Sequence, residues 1–114
     1  MGVTASHIAA GETTTHLTVG PDMVNGHGSV HGAVIFALAD IAFAMACNSH
    51  AYDAVGRTCN IEYLAPAYPG ESLSAVAVER TRVGRNGIYD ISVVRDSDET
   101  VIAEMRGNSR QISG

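Results

Sequence analysis

A single carboxylate, Asp40, lies in the middle of an otherwise apolar segment that runs from Ala33 to Cys47. The segment is rich in Ala, Leu, Ile, Phe and Met and contains neither Pro nor Gly, a composition that favours a helix. A carboxylate in such surroundings costs free energy unless it is paired or used. Asp40 is therefore a candidate for acid–base or nucleophilic chemistry.

Helical spacing places Asp40 in a stripe of small residues, where another backbone or a ligand can approach closely. The other members of the stripe are Ala33, Ala37, Ala44 and Cys47. The bulky residues that lie away from it, predicted to fill a core, are Ile35, Leu38, Ile41 and Met45. Because the segment is apolar all round, it is predicted to be buried on every side.

A loop with the sequence Asn-Gly-His-Gly-Ser-Val-His-Gly (25–32) precedes this helix. The first N–H groups of a helix lack partners, so its start suits a carbonyl oxygen that gains negative charge during a reaction. Gly32 and Asp40 are eight residues apart, about 12 Å along a helix. They cannot both touch one carbonyl from the same helix. If both act, the acid comes from one subunit and the helix start from another.

Two other kinds of chemistry are conceivable in the loop. His27 and His31 have helical metal-ligand spacing, but Gly26 and Gly28 disfavour a helix there and no HExxH pattern is present. We therefore expect neither a metal ion nor another cofactor, and His31 is predicted to fix the loop by hydrogen bonding. A Ser–His–Asp triad through Ser29 is possible on composition, but nothing resembles a nucleophile elbow.

The length, composition and charge of the sequence limit which partners and which cellular location we predict. The chain of 114 residues has no internal repeat, so one domain spanning 1–114 is expected. No signal-peptide pattern or spanning segment is present, which predicts a cytoplasmic protein. A net charge of −5, with seven Arg and no Lys, argues against nucleic acid or an anionic membrane as a partner. The two cysteines have no metal spacing and are predicted to be free.

The rest of the chain reads as strands. A short strand or an extended entry is predicted over 1–11. Strands are predicted over 13–19, 57–64, 72–83, 88–95 and 100–112, and a hairpin loop at 84–87. On the last strand, Val101, Ala103 and Met105 are predicted to share one face. One antiparallel sheet wrapped round one helix, an α+β fold, satisfies this order. Because such a sheet leaves edges and has a single helix to cover it, we expect an oligomer.

The loop and helix resemble those of the hotdog-fold thioesterases, specifically the PaaI-type (phenylacetate-pathway) acyl-CoA thioesterases. The similarity rests on residues 22–32, 38–40 and 46–49, and continues at 61–66, 70–71, 87–90 and 106–107. It extends over about residues 14–112. The resemblance implies a sheet wrapped round a central helix, dimers joined into a continuous sheet, and usually a homotetramer.

The resemblance also implies roles for individual residues. Asp40 matches the catalytic carboxylate, Gly32 the residue whose N–H polarises the thioester carbonyl, and Asn25 the side chain that orients carbonyl or water. His31 is kept with them as a candidate catalytic residue. Many relatives have a second Gly where this chain has Ala33, and many begin with an extra helix that is absent here.

The predicted activity is hydrolysis of an acyl- or aryl-CoA thioester to a free acid and CoA. Asp40 either deprotonates an attacking water or attacks the carbonyl itself, and the residues alone leave both open. The alternative is a non-catalytic hotdog module that binds acyl-CoA, which would have no need of a buried acid. A hotdog hydratase would require an Asp–His pair, and no clear one is present.

The CoA end of the substrate requires a local basic patch on an acidic protein. The candidates are Arg85, Asn86 and Gly87 in the hairpin loop, whose glycines allow close approach to phosphate. Arg57 and Arg106 are weaker candidates, because either could be a solvated strand residue.

Overall fold

The computed structural model describes residues 1–113 and contains one long α-helix packed against a six-stranded sheet. The strands are β1 (Thr4–Ala9), β2 (Glu12–Thr18), β3 (Ala54–Tyr63), β4 (Ser72–Val83), β5 (Asn86–Arg95) and β6 (Val101–Gln111), and the helix is α1 (Gly32–Cys47). The sheet order is β1-β2-β4-β5-β6-β3, with every neighbouring pair antiparallel. The predicted α+β arrangement is confirmed, and no helix within residues 1–113 is long and apolar enough to cross a membrane.

Among β2 to β6, the strand boundaries that differ most from the prediction are the starts of β3 and β5, whereas the other ends agree to within one residue. β3 begins at Ala54 rather than Arg57, because it stays paired with β6 across a bulge between Gly56 and Thr58. The predicted four-residue hairpin loop is a two-residue turn, since Asn86 already pairs with Val83. The positive φ of +61° at Gly84 provides the left-handed conformation that such a tight turn requires.

The face of α1 that packs on the sheet contains Ile35, Leu38 and Phe43, all buried. The opposite face is open in the single chain, where Asp40, Ile41 and Met45 are half-buried. The prediction that the helix is buried on every side is therefore wrong for one chain, and Ile41 and Met45 do not fill its core. The sheet curls around one side of the helix only.

Two threonines of β2 hydrogen-bond to the backbone of the helix. Thr13 and Thr15 are fully buried, and their hydroxyls donate to the carbonyls of Ala42 (2.6 Å) and Leu38 (3.3 Å). These bonds satisfy hydroxyls that would otherwise be buried without partners. The Thr-rich composition of β2 thus sets the position of α1 as well as the strand itself.

On β6 the predicted inward face is partly displaced. Ala103 and Met105 are buried as predicted, but Val101 is 37% exposed and Ile102 is buried instead. The cause is a bulge in β6, where Ile102 is the extra residue between Ala103, which pairs with Val93, and Val101, which pairs with Val94.

Gly107 of β6 lies directly under the ring of Phe43. A Cβ added at Gly107 would lie 2.7–2.9 Å from three atoms of that ring. Gly107→Ala should therefore lower the free energy of unfolding by about 1–3 kcal/mol, as overpacking a full core does. Urea titration at one protein concentration measures the change. Gly26→Ala is the control, because nothing lies within 4 Å of its added Cβ, and an equal effect of the two substitutions would contradict the packing explanation.

Candidate active site

The loop before α1 is a tight turn closed by Asn25. The N–H of Asn25 donates to the carbonyl of Ser29 (2.8 Å), and the N–H of Gly28 donates to the carbonyl of Asn25 (3.1 Å). The side-chain oxygen of Asn25 accepts from the N–H of His27 (2.8 Å). Gly28 has a φ of +81°, which only glycine adopts at no steric cost. Asn25 therefore holds the loop in shape, and Ser29 hydrogen-bonds to Asn25 rather than to a histidine.

Backbone contacts fix the end of this loop where α1 begins. The N–H of Val30 donates to the carbonyl of Ala67 (2.8 Å), and the N–H of His31 donates to the carbonyl of Met23 (2.9 Å). The imidazole of His31 is exposed and makes no hydrogen bond within residues 1–113. The prediction that this side chain fixes the loop is therefore wrong, because the peptide N–H of His31 does so.

Gly32 is the first residue of α1 and borders a cavity of ≈ 330 Å³. The lining residues are mostly apolar: Val30, Gly32, Ile35, Tyr63, Leu64, Ala65 and Pro66. The hydroxyl of Tyr63 donates to the carbonyl of Gly32 (3.1 Å). A Cβ at Gly32 would lie 3.2 Å from the Tyr63 ring, so the glycine permits this close approach.

Tyr63 was not among the sequence candidates. It ends β3 and lies 31 residues from Gly32 in the chain. The sequence singled out Gly32 for its backbone N–H at the helix start, and no signal there indicated which residue packs against it.

Asp40 lies on the open face of α1 and makes no hydrogen bond or ion pair within residues 1–113. On β3, burial and then the negative charge of Asp40 raise the pKa of the Cys59 thiol. Burial is also the main cause that raises the pKa of Cys47, with Asp40 contributing. Both thiols are free, as predicted. Asp40 does not border the cavity at Gly32, so one chain does not bring the two residues together.

Two of the predicted CoA-binding residues meet at one end of the sheet. Nη1 of Arg57, in the β3 bulge, lies 3.4 Å from Oδ1 of Asn86, while Arg85 occupies the exposed hairpin turn. Arg110 of β6 is the cross-strand partner of Asn86 and was missed from the sequence. Arg57, Arg85 and Arg110, here called the arginine end, form no ion pair with an acidic side chain in the described part of the chain.

The other two predicted CoA-binding residues, Gly87 and Arg106, make contacts within the sheet. Gly87 is buried in β5, where an added Cβ would lie 2.7 Å from Oγ of Ser109. Packing therefore explains its lack of a side chain, and its contact with phosphate stays a prediction. Arg106 donates to both carboxylate oxygens of Asp90 (2.8 and 3.1 Å) and thereby holds the pKa of Asp90 below its usual range. Arg106 is thus already paired on the sheet surface.

Known proteins resemble the chain along nearly its whole length. A family model described as the thioesterase superfamily matches residues 27–102. The acyl-coenzyme A thioesterase PaaI of Escherichia coli K12 is 40% identical over 114 residues, 100% of this chain and 81% of that protein. The structure of the E. coli PaaI protein, at 39% identity, superposes with a TM-score of 0.95 and covers 99% of this chain and 81% of that one. A mutant of the phenylacetic acid degradation protein PaaI from Thermus thermophilus, at 32% identity, superposes with a TM-score of 0.92 over 97% and 94% of the two chains.

Proposed function

The chain belongs to the thioesterase superfamily and has its hotdog fold, and on this premise we propose that it hydrolyses an acyl-CoA thioester to a free acid and CoA. The observation that carries the proposal is the start of α1, where Gly32 borders an apolar cavity. The positive end of the helix dipole and the unpartnered N–H groups of the first turn stabilise a thioester oxygen that becomes an oxyanion. The similarity to E. coli PaaI supports acyl-CoA as the substrate class.

In the proposed reaction Asp40 supplies the negative charge that drives attack on the carbonyl carbon. Its carboxylate either takes a proton from the water that attacks the carbon, or attacks the carbon itself to form an anhydride that water then hydrolyses. On both routes the CoA thiolate leaves. The open position of Asp40 supports this role, since no partner within residues 1–113 occupies it. A single turnover in ¹⁸O-labelled water tests for the covalent route, because label enters the Asp40 carboxylate only when water hydrolyses an anhydride at the Asp40 carbonyl carbon.

The proposed site needs two copies of the chain. Gly32 and Asp40 are about 12 Å apart along the same helix, farther than one carbonyl can reach. β3 is an edge strand with exposed Val55 (45%) and Tyr63 (49%), and it lies beside the open face of α1. We infer that a second copy pairs along β3 and covers Asp40, so that each Asp40 meets the partner's Gly32. A dimer of such dimers is the assembly that the family resemblance favours.

A non-catalytic acyl-CoA-binding module is the other function considered. It would give no role to a carboxylate on the open helix face, so hydrolysis is favoured. Thiol release from a panel of aryl-, short-chain and long-chain acyl-CoAs tests the choice directly. Turnover of at least one substrate supports the enzyme, whereas tight binding without any thiol release would support the module.

The arginine end is proposed to hold the CoA phosphates. Removing the guanidinium with Arg85→Ala should raise KM for acyl-CoA by about tenfold and leave kcat nearly unchanged, because the contact is equal in ground and transition states. An acyl-pantetheine, which lacks the nucleotide, should show no change in KM. Steady-state kinetics on both substrates measures the difference.

The matched control for Arg85→Ala is Arg80→Ala. Arg80, on β4, is also exposed, but its Nε lies 3.7 Å from Oδ2 of Asp90 on β5. Its loss should therefore change KM for neither substrate. Equal KM effects of Arg85→Ala on acyl-CoA and acyl-pantetheine would mean that Arg85 does not contact the nucleotide.

A further inference from the structure

Away from the proposed thioesterase site, four polar side chains form a continuous hydrogen-bonded network that runs from β1 across β2 and β4 to the turn after β5. Oγ of Ser6 lies 2.5 Å from Nε2 of His16, and Nδ1 of His16 lies 2.8 Å from Oγ of Ser74. The hydroxyl of Ser74 donates to Oδ1 of Asp96 (2.6 Å). Successive side chains of a strand point to opposite faces of the sheet, and the hydroxyl of Thr15, next to His16, contacts α1. The hydrogen-bonded network therefore lies on the face of the sheet opposite the helix.

The strand register explains how these side chains meet. His16 and Ser74 are direct cross-strand partners on β2 and β4. Ser6 is the extra residue of a bulge in β1, and bulges re-aim side chains that a regular strand would place elsewhere. The N–H of Asp96 donates to the carbonyl of Ser72 (2.9 Å), which holds Asp96 beside Ser74.

When His16 is neutral, the hydrogen bonds of this network can point in only one direction, from donor to acceptor. The carboxylate of Asp96 accepts only, so the proton of Ser74 points to it and Oγ of Ser74 must accept from Nδ1–H of His16. Nε2 of His16 then carries a lone pair, and it accepts the hydroxyl proton of Ser6. The hydroxyl of Ser6 is thus aimed at a general base that two further groups orient.

We propose that Ser6 and His16 form a second acyl-transfer site, with Ser6 as nucleophile and His16 as base. A nucleophile bonded to a base, which is itself oriented by a third group, is the arrangement that activates serine. Ser74 and Asp96 are positioning residues. A cavity of ≈ 230 Å³ is bordered by His16 and Asp96 but not by Ser6. Ser6 itself is exposed, so its hydroxyl is accessible to small esters from solvent.

The proposed reaction balances without any co-reactant except water. Oγ of Ser6 bonds to the ester carbonyl carbon while its proton moves to Nε2 of His16. The bond from that carbon to the alkoxy oxygen breaks, and the departing oxygen takes the proton from His16. Water then attacks acyl-Ser6 with His16 again as base, which releases the acid and restores Ser6.

Labelling of the intact protein with a fluorophosphonate probe tests the proposal, with the modified residue located by peptide mass spectrometry. We expect Ser6 to be labelled at least about 100-fold faster than Ser97, an exposed serine in the turn after β5. His16→Gln should slow labelling of Ser6 by about 10²-fold or more. Ser6→Ala should abolish p-nitrophenyl acetate hydrolysis at this site and leave acyl-CoA turnover unchanged.

The positioning role has a separate readout. Ser74→Ala should slow the labelling of Ser6, and Ser74→Thr, which keeps the hydroxyl, should restore it. Labelling of Ser6 no faster than of Ser97 in the wild-type protein would overturn the proposal, and this comparison requires no variant to fold. Equal labelling rates in wild type and a folded His16→Gln variant would overturn it as well.

Discussion

Replacing Asp40 by Asn is expected to lower kcat for acyl-CoA hydrolysis by about 10²–10⁴-fold. Asn keeps the shape of the side chain but can neither take a proton from water nor attack the carbonyl. The fold should be retained, because Asp40 makes no hydrogen bond or ion pair within residues 1–113 that the substitution could break. Thiol release under saturating substrate measures the effect, and circular dichroism confirms that the variant is folded.

Asp53→Asn is the matched control for this substitution. Asp53 is exposed and its carboxylate accepts from Ser113, away from the helix, so its replacement should leave kcat unchanged. Near wild-type turnover in a folded Asp40→Asn variant would remove Asp40 from the chemistry.

The order and type of the secondary-structure elements were predictable because local pattern determines them. The helix from Ala33 to Cys47 follows from an unbroken apolar run, and the structure extends it by Gly32 alone. The strand over 72–83 follows from its alternation and is confirmed at both ends. These signals are local, so no knowledge of the partner strands was needed.

Features that depend on register were not predictable. The bulges at Ser6 and Arg57 add one residue to a strand without leaving a sequence signal. Each bulge moves a side chain to where it meets another element: Ser6 to His16, and Arg57 to Asn86. A bulge without a sequence signal also explains why Val101 was wrongly predicted to share a face with Ala103 and Met105.

Packing between segments that are distant in the sequence was the other feature that could not be predicted. The turn-like neighbours of Gly87 gave no sign of its close packing against Ser109, which the structure shows. Tyr63 was missed for the same reason, since its contact with Gly32 joins two elements far apart in sequence. The incomplete burial of Ile41 reflects the lack of a cover within one chain, which is consistent with the proposed second copy.

If each site is shared between two subunits, a mixed dimer of two inactive variants should regain activity, which a site within one chain would not allow. Asn25→Ala damages the loop half of the site, because the Asn25 side chain closes the turn before Gly32, and should lower kcat by about 10²-fold. A mixed dimer of one Asp40→Asn subunit and one Asn25→Ala subunit has one site with both halves intact. It should therefore recover about half of the wild-type turnover, far above either parent.

The most direct test compares this mixed dimer with a second one, in which a double variant carrying both substitutions is paired with a wild-type subunit. Two different affinity tags allow each mixed species to be purified before thiol release is measured. With shared sites, the first mixed dimer is active at about half the wild-type rate and the second is nearly inactive, since each of its sites has one damaged half. The reverse result, an inactive first dimer and a half-active second, would place Asp40 and the Gly32 loop in one chain and contradict the proposed site.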